Sequence, residues 1–163
     1  MTARLSSPEE LCSQVLDLVG DRAEAQVTAA RGQPALTRFA NSFIHQNVGE
    51  VGISVNLKLA LPDGRVAAAS STRADADGLA ALVDGALAAA ALRPADADWP
   101  GLAPPAPVPE VDHYDAATEE ASPDERARRV RAFVDAGPGL RAAGFCDTDG
   151  GTTAFANSAG QRA

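Results

Sequence analysis

The stretch Val51–Leu61 constrains the fold more than any other part of this sequence. Val51, Ile53, Val55, Leu57, Leu59 and Leu61 alternate with Gly52, Ser54, Asn56, Lys58 and Ala60. A period of two places the first set on one face of a strand and the second on the other, which describes an antiparallel strand with one dry and one wet side. Pro62-Asp63-Gly64 then supplies turn chemistry, so Arg65–Thr72 is expected to return beside it as a hairpin. A dry sheet face needs a cover, and two helices are placed to provide one.

The first helix is marked by Ser7-Pro8-Glu9-Glu10, a capping serine with proline at the first helical position and glutamate at the third. Leu11, Val15, Leu18 and Val19, with Cys12 and Leu16, form its apolar face, and Gly20 closes it. The second runs from about Asp77 to Leu92, with Leu79, Leu82, Val83, Ala86, Leu87 and Ala90 at helical spacing and Arg93-Pro94 as its stop. Between the first helix and the central strand, Ala23–Arg31 alternates weakly and Gly32-Gln33-Pro34 turns the chain. Leu36–Asn47 is strand-like with an apolar phase that slips. A bulge or tight bend near Asn41-Ser42 accounts for the slip.

From Arg93 to Asp115 six prolines interrupt any periodicity, and the segment reads as an extended connector, with Trp99 either pinning it to the domain body or serving as a partner-facing anchor. Helix grammar then returns: Ser122-Pro123-Asp124-Glu125 opens an element with Ala127, Val130, Phe133 and Val134 on one face and Gly137 at its end. Short strands are expected at Leu140–Cys146 and Thr152–Asn157, joined by a glycine hairpin turn at Asp147–Gly151. The Ser-Pro-x-Glu of Ser7 recurs at Ser122, and Phe39-Ala-Asn-Ser recurs from Phe155 at nearly the same offset. Both ends therefore read as helix, strand, turn, strand, with the second copy reading as cut short.

The fold expected is α+β: an antiparallel sheet covered on one face by helices, with the start of a second similar helix–strand–strand unit after a Pro-rich connector. The expected domains are 1–92, an amino-terminal α+β domain; 93–116, the connector; and 117–163, the incomplete start of a further unit. With 163 residues there is room for one substantial core, and the few large aromatics (Phe39, Phe43, Phe133, Phe145, Phe155, Trp99) are expected to anchor it among many alanines.

Charge excludes one class of partner. The formal net charge is −8, whereas nucleic-acid affinity comes largely from Lys and Arg displacing counterions. Only Arg126–Arg131 is locally basic, and its helical phase reads as a solvated face. No run approaches the roughly 20 apolar residues of a membrane span. Two distant cysteines, read as small buried apolar groups, fit a reducing cytoplasm.

No catalytic or metal-ligating residue can be named. With only His45 and His113, a His-Glu-x-x-His zinc helix is impossible. Asp147-Thr148-Asp149-Gly150-Gly151 lacks the further acidic ligands of a calcium loop. Ser70-Ser71-Thr72 has no nucleophile-elbow glycines, and its hydroxyls are expected to serve backbone groups. Glu119-Glu120 suits the approach to a helix start.

Taken in order, Arg38-Phe-Ala-Asn-Ser-Phe-Ile-His-Gln-Asn, the Ile53-Ser-Val strand, Gly64-Arg-Val-Ala-Ala-Ala-Ser-Ser-Thr, the Ala-rich helix, Asp98-Trp-Pro-Gly-Leu and Ala156-Asn-Ser-x-Gly resemble the amino-terminal domain of the TldD/PmbA family, also labelled modulators of DNA gyrase. The closing fragment resembles PmbA-type (TldE) sequences slightly more than TldD-type ones. The resemblance implies a cytoplasmic two-subunit protease. In it the TldD-type subunit carries zinc on a His-Glu-x-x-x-His helix outside this region, and the PmbA-type subunit lacks the metal. No position here matches that helix, so any zinc belongs to a catalytic partner or to a region missing from this chain. The expected role is non-catalytic: shaping the chamber that admits unfolded peptide and contacting a second subunit, as a homo- or heterodimer. Asn41, Ser42 and His45 are the candidate peptide or partner contacts. The alternative is a stand-alone peptide- or protein-binding adaptor with no enzymatic role.

Overall fold

The computed structural model describes residues 6–163. In chain order the elements are α1 (Pro8–Val19), β1 (Glu24–Gly32), β2 (Ala35–Ala40), β3 (Phe43–Gly49), β4 (Gly52–Ala60), β5 (Val66–Ser71), α2 (Ala76–Ala91), α3 (Ala116–Glu119), α4 (Pro123–Asp135), β6 (Gly144–Thr148) and β7 (Gly151–Asn157). They form two antiparallel sheets packed against helices, the α+β class that the alternation in β4 and the stripes of α1 and α2 call for. The chain divides into two compact units. One contains residues 6–31, Ile53–Glu110 and Thr152–Ala163; the other contains Gly32–Gly52 and Val111–Gly151.

The first unit holds the sheet β5-β4-β1-β7 under α1 and α2. Ser7 caps α1 with both halves of the capping box in place: the Ser7 side chain accepts from the Glu10 N–H, and the Glu10 carboxylate accepts from the Ser7 N–H. Gly20 ends the helix at φ 55°, a conformation that costs glycine nothing. The dry face is aliphatic: Leu11, Val15 and Val19 from α1, Val27, Val55, Leu57 and Leu59 from the strands, and Leu79, Val83 and Ala86 from α2. Each buried Leu or Val contributes about 1.5–3 kcal/mol. Alanines at 25, 29, 67, 86 and 90 fill the remaining contacts. On the wet face the Trp99 indole donates to the Glu24 carboxylate at 3.2 Å, and the Lys58 ammonium lies 4.5 Å from the ring centroid. The connector is held there as the sequence implied.

The second unit holds the sheet β3-β2-β6 under α4. Thr37 and Phe39 point inward from β2. Phe39 meets Phe133 edge-on with centroids 5.9 Å apart. Gly144, paired with Phe39 across the strands, leaves room for that ring, because an added Cβ would lie only 3.2 Å from it.

Several expectations change. The six aromatics do not anchor a core: Phe39 alone among them is buried, while Phe43, Phe133 and Phe145 are 70%, 64% and 63% exposed. Asp147–Gly151 does not close a hairpin, since β6 pairs with β2 and β7 joins β1 in the other sheet. The compact units likewise run differently from a division at residues 92 and 116. Each takes strands from both copies of the recurring helix–strand–strand pattern, and neither β6 nor β7 lacks a pairing neighbour. Residues 161–163 also bond to β7, with Phe155 and Ala163 exchanging backbone hydrogen bonds at 2.8 and 2.9 Å.

Candidate functional site

The slipping phase of Leu36–Asn47 resolves into two strands and a two-residue turn. Asn41 and Ser42 sit at φ 50° and 60°, the left-handed pair that a tight hairpin demands. Asn tolerates this conformation; Ser is held by bonds. Its backbone N–H donates to the Ala142 carbonyl (2.8 Å), its hydroxyl donates to the Leu140 carbonyl (3.2 Å), and the hydroxyl accepts from the Ala142 N–H (3.1 Å). Ser42 is therefore engaged in ordering residues 140–142.

Beyond the turn, the β2–β3 register shifts: Arg38 faces Gln46 and Phe39 faces Ile44, which leaves His45 as the extra residue of a β-bulge. His45 is exposed on an edge strand, since nothing pairs with the outer side of β3 among the described residues. Phe43 and Val48 are exposed on that strand too. Beside it lies a groove of about 270 Å³ lined by Ser42, Phe43, Ile44, Val130, Val134 and the charged pair Arg131 and Asp135. The structure thus places Asn41, Ser42 and His45 on one hairpin, but assigns them different tasks: turn, brace and bulge.

Sequence reasoning missed what lies at the far end of β3. Arg126, read as part of a solvated basic face, is only 3% exposed. It follows the α4 cap by four residues, and that phase turns it inward beside Val130. Its Nη1 donates to the Ala121 carbonyl (2.6 Å) and the Thr148 hydroxyl (3.3 Å), and its Nη2 to Asn47 Oδ1 (3.4 Å), which also accepts from the Thr37 hydroxyl (3.1 Å). Arg128, Arg129 and Arg131 do face solvent.

The remaining candidates are structural. Cys12 is buried on the inner face of α1, within 3.5 Å of the Ala154 carbonyl, and burial pushes its thiol above the usual range. Cys146 is only half-buried, against the expectation that both cysteines are enclosed. Ser71 exchanges hydrogen bonds with the Arg73 backbone, as expected for a strand end. No group of three or more His, Cys, Asp or Glu among the described residues could hold a metal ion, so the donor set here does not fit zinc. No helix among them is long and apolar enough to cross a membrane.

No protein-family model and no curated protein matches the sequence. Solved structures do match. TldE from Thermococcus kodakarensis superposes with a TM-score of 0.80 at 18% identity, over 95% of this chain and 35% of that one. A suggested modulator of DNA gyrase from Bacteroides thetaiotaomicron gives 0.81 at 16% identity, over 95% and 37%. Another from Thermotoga maritima gives 0.76 at 15%, over 96% and 36%. The chain spans about a third of the length of these proteins. Across nearly all of its own length it has the fold of part of TldE and of two suggested modulators of DNA gyrase, the fold that the TldD/PmbA resemblance implies.

Proposed function

We propose that this chain is a non-catalytic region of a TldD/PmbA-type peptidase assembly, shaping the path of unfolded peptide and contacting a second subunit. The observation that carries the reading is the TldE fold match over 95% of the chain. The open edge of β3 adds a means: an extended peptide can bond to its free backbone groups and seat a side chain in the groove beside Phe43 and Ile44. Zinc, in this reading, sits on a catalytic partner or elsewhere in a longer protein.

The test is peptide hydrolysis by a longer protein containing this region, mixed with a second TldD/PmbA-type subunit. Activity is expected only from the mixture, with loss on chelation and recovery with zinc. Replacing the exposed Phe43 and Val48 by Lys, a change that discourages strand addition, is expected to cut kcat/KM about tenfold while the subunits still co-elute. Full activity without this region, or with the edge blocked, would refute the proposal. One observation favours the adaptor reading: β6 and β7 both pair with strands among the described residues.

A further inference from the structure

The two capped helices can be compared position by position. Four residues after Ser7 stands Leu11, fully buried; four residues after Ser122 stands Arg126, almost as buried. The corresponding place in α1 holds a plain hydrocarbon, whereas a buried arginine is costly unless its charge is matched. No carboxylate among the described residues lies within ion-pairing distance of Arg126. Its partners are all neutral oxygens, from Ala121, Thr148 and Asn47.

The shortfall falls on one edge of the guanidinium. Nη1 makes two hydrogen bonds, whereas Nη2 makes one long one and the buried Nε makes none. The Nε and Nη2 hydrogens point the same way and form the fork that grips a carboxylate with two parallel bonds. At the outer end of that fork lies Asn47, an exposed residue of the open edge strand β3.

We propose that the Nε–Nη2 edge of Arg126, with Asn47 at its lip, receives the carboxylate of an extended peptide lying along β3. The incoming oxygens displace Asn47 Oδ1, take both hydrogens of the fork and cancel the buried charge. This rests on the peptide-path reading above and deepens it, since it selects peptides that present a carboxylate near the Asn47 end of the strand.

The experiment titrates the 163-residue chain with a short alternating valine–threonine peptide in three forms: free acid, terminal amide, and an amide with one internal aspartate. The Arg126 Nε–H and the β3 amides are followed by NMR. The free acid or the aspartate peptide is expected to bind about tenfold tighter than the plain amide and to move the Nε–H resonance. Which of the two does so tells a terminal carboxylate from a side chain. Arg126→Leu, the residue type of the sister helix, is expected to erase the preference. Should that variant fail to fold, Asn47→Asp serves, because a built-in carboxylate is expected to raise Tm and erase the preference as well. Equal binding of all three peptides with an unmoved Nε–H overturns the carboxylate site but leaves strand addition standing. If no peptide moves the β3 amides, both fall.

Discussion

At the scale of single residues, burial decides chemistry more than residue type does. Cys12 and Cys146 have the same thiol, yet the first is enclosed by α1 and the sheet while the second lies at the surface of a groove beside Phe145. Native alkylation is therefore expected to modify Cys146 promptly and Cys12 only on unfolding, which peptide mass mapping at successive times will show. Asp75 caps α2, and its carboxylate sits below the ordinary aspartate value because it accepts from the Gly78 N–H and, secondarily, from Arg73. A depressed folded-state value gives stability that is complete above the unfolded value of about 3.8 and is lost as pH falls through the folded one. Thermal melts of Asp75→Asn, which keeps a capping oxygen but cannot titrate, are accordingly expected to show a shallower acid limb than the parent. Periodicity starts this helix at about Asp77 and leaves Asp75 without a role; its cap and its ion pair with Arg73 depend on a turn that brings the two side chains together.

Among the elements, those governed by neighbouring residues were readable from the sequence. The serine caps, the α2 stripe and the alternation of β4 all lie within a few residues of their causes, and each appears where expected. Aromatic placement did not follow. Periodicity puts Phe133 on the apolar side of α4, yet it stays mostly exposed, in an edge-type contact with Phe39. Packing also reverses a propensity rule at Gly78. Alanine there favours a helix, but its Cβ would come within 2.5 Å of the Arg73 Cβ and 2.9 Å of the Arg73 carbonyl oxygen. Gly78→Ala is expected to destabilise the protein by about 1–3 kcal/mol, read from the denaturant midpoint. An unchanged or raised midpoint would mean that the start of α2 yields easily.

For the molecule as a whole, the Pro-rich connector is an ordered part of the structure. Asn157, buried at the end of β7, donates to the Ala103 carbonyl at 2.8 Å and accepts from the Gln161 N–H at 2.9 Å, so one amide fastens the connector and the closing turn together. Asn157→Ala is expected to cost about 1–3 kcal/mol and to open residues 100–107 to limited proteolysis well before the rest of the chain is cut. The recurrence of Ser-Pro-x-Glu and Phe-Ala-Asn-Ser suggested a second unit begun and left unfinished. In the fold, each sheet instead takes strands from both copies. By itself the sequence determined the elements, the dry face of the first sheet, the tight turn at Asn41-Ser42 and the resemblance that pointed to this fold, because capping, period and turn chemistry act over a few residues. Only the tertiary structure decided that β6 and β7 go to different sheets and that, among the described residues, β3 is an open edge with His45 in a bulge and Arg126 is enclosed without a counter-charge. Those outcomes depend on pairings between segments about a hundred residues apart, where the free energy comes from which surfaces meet and not from how any one of them is spelled.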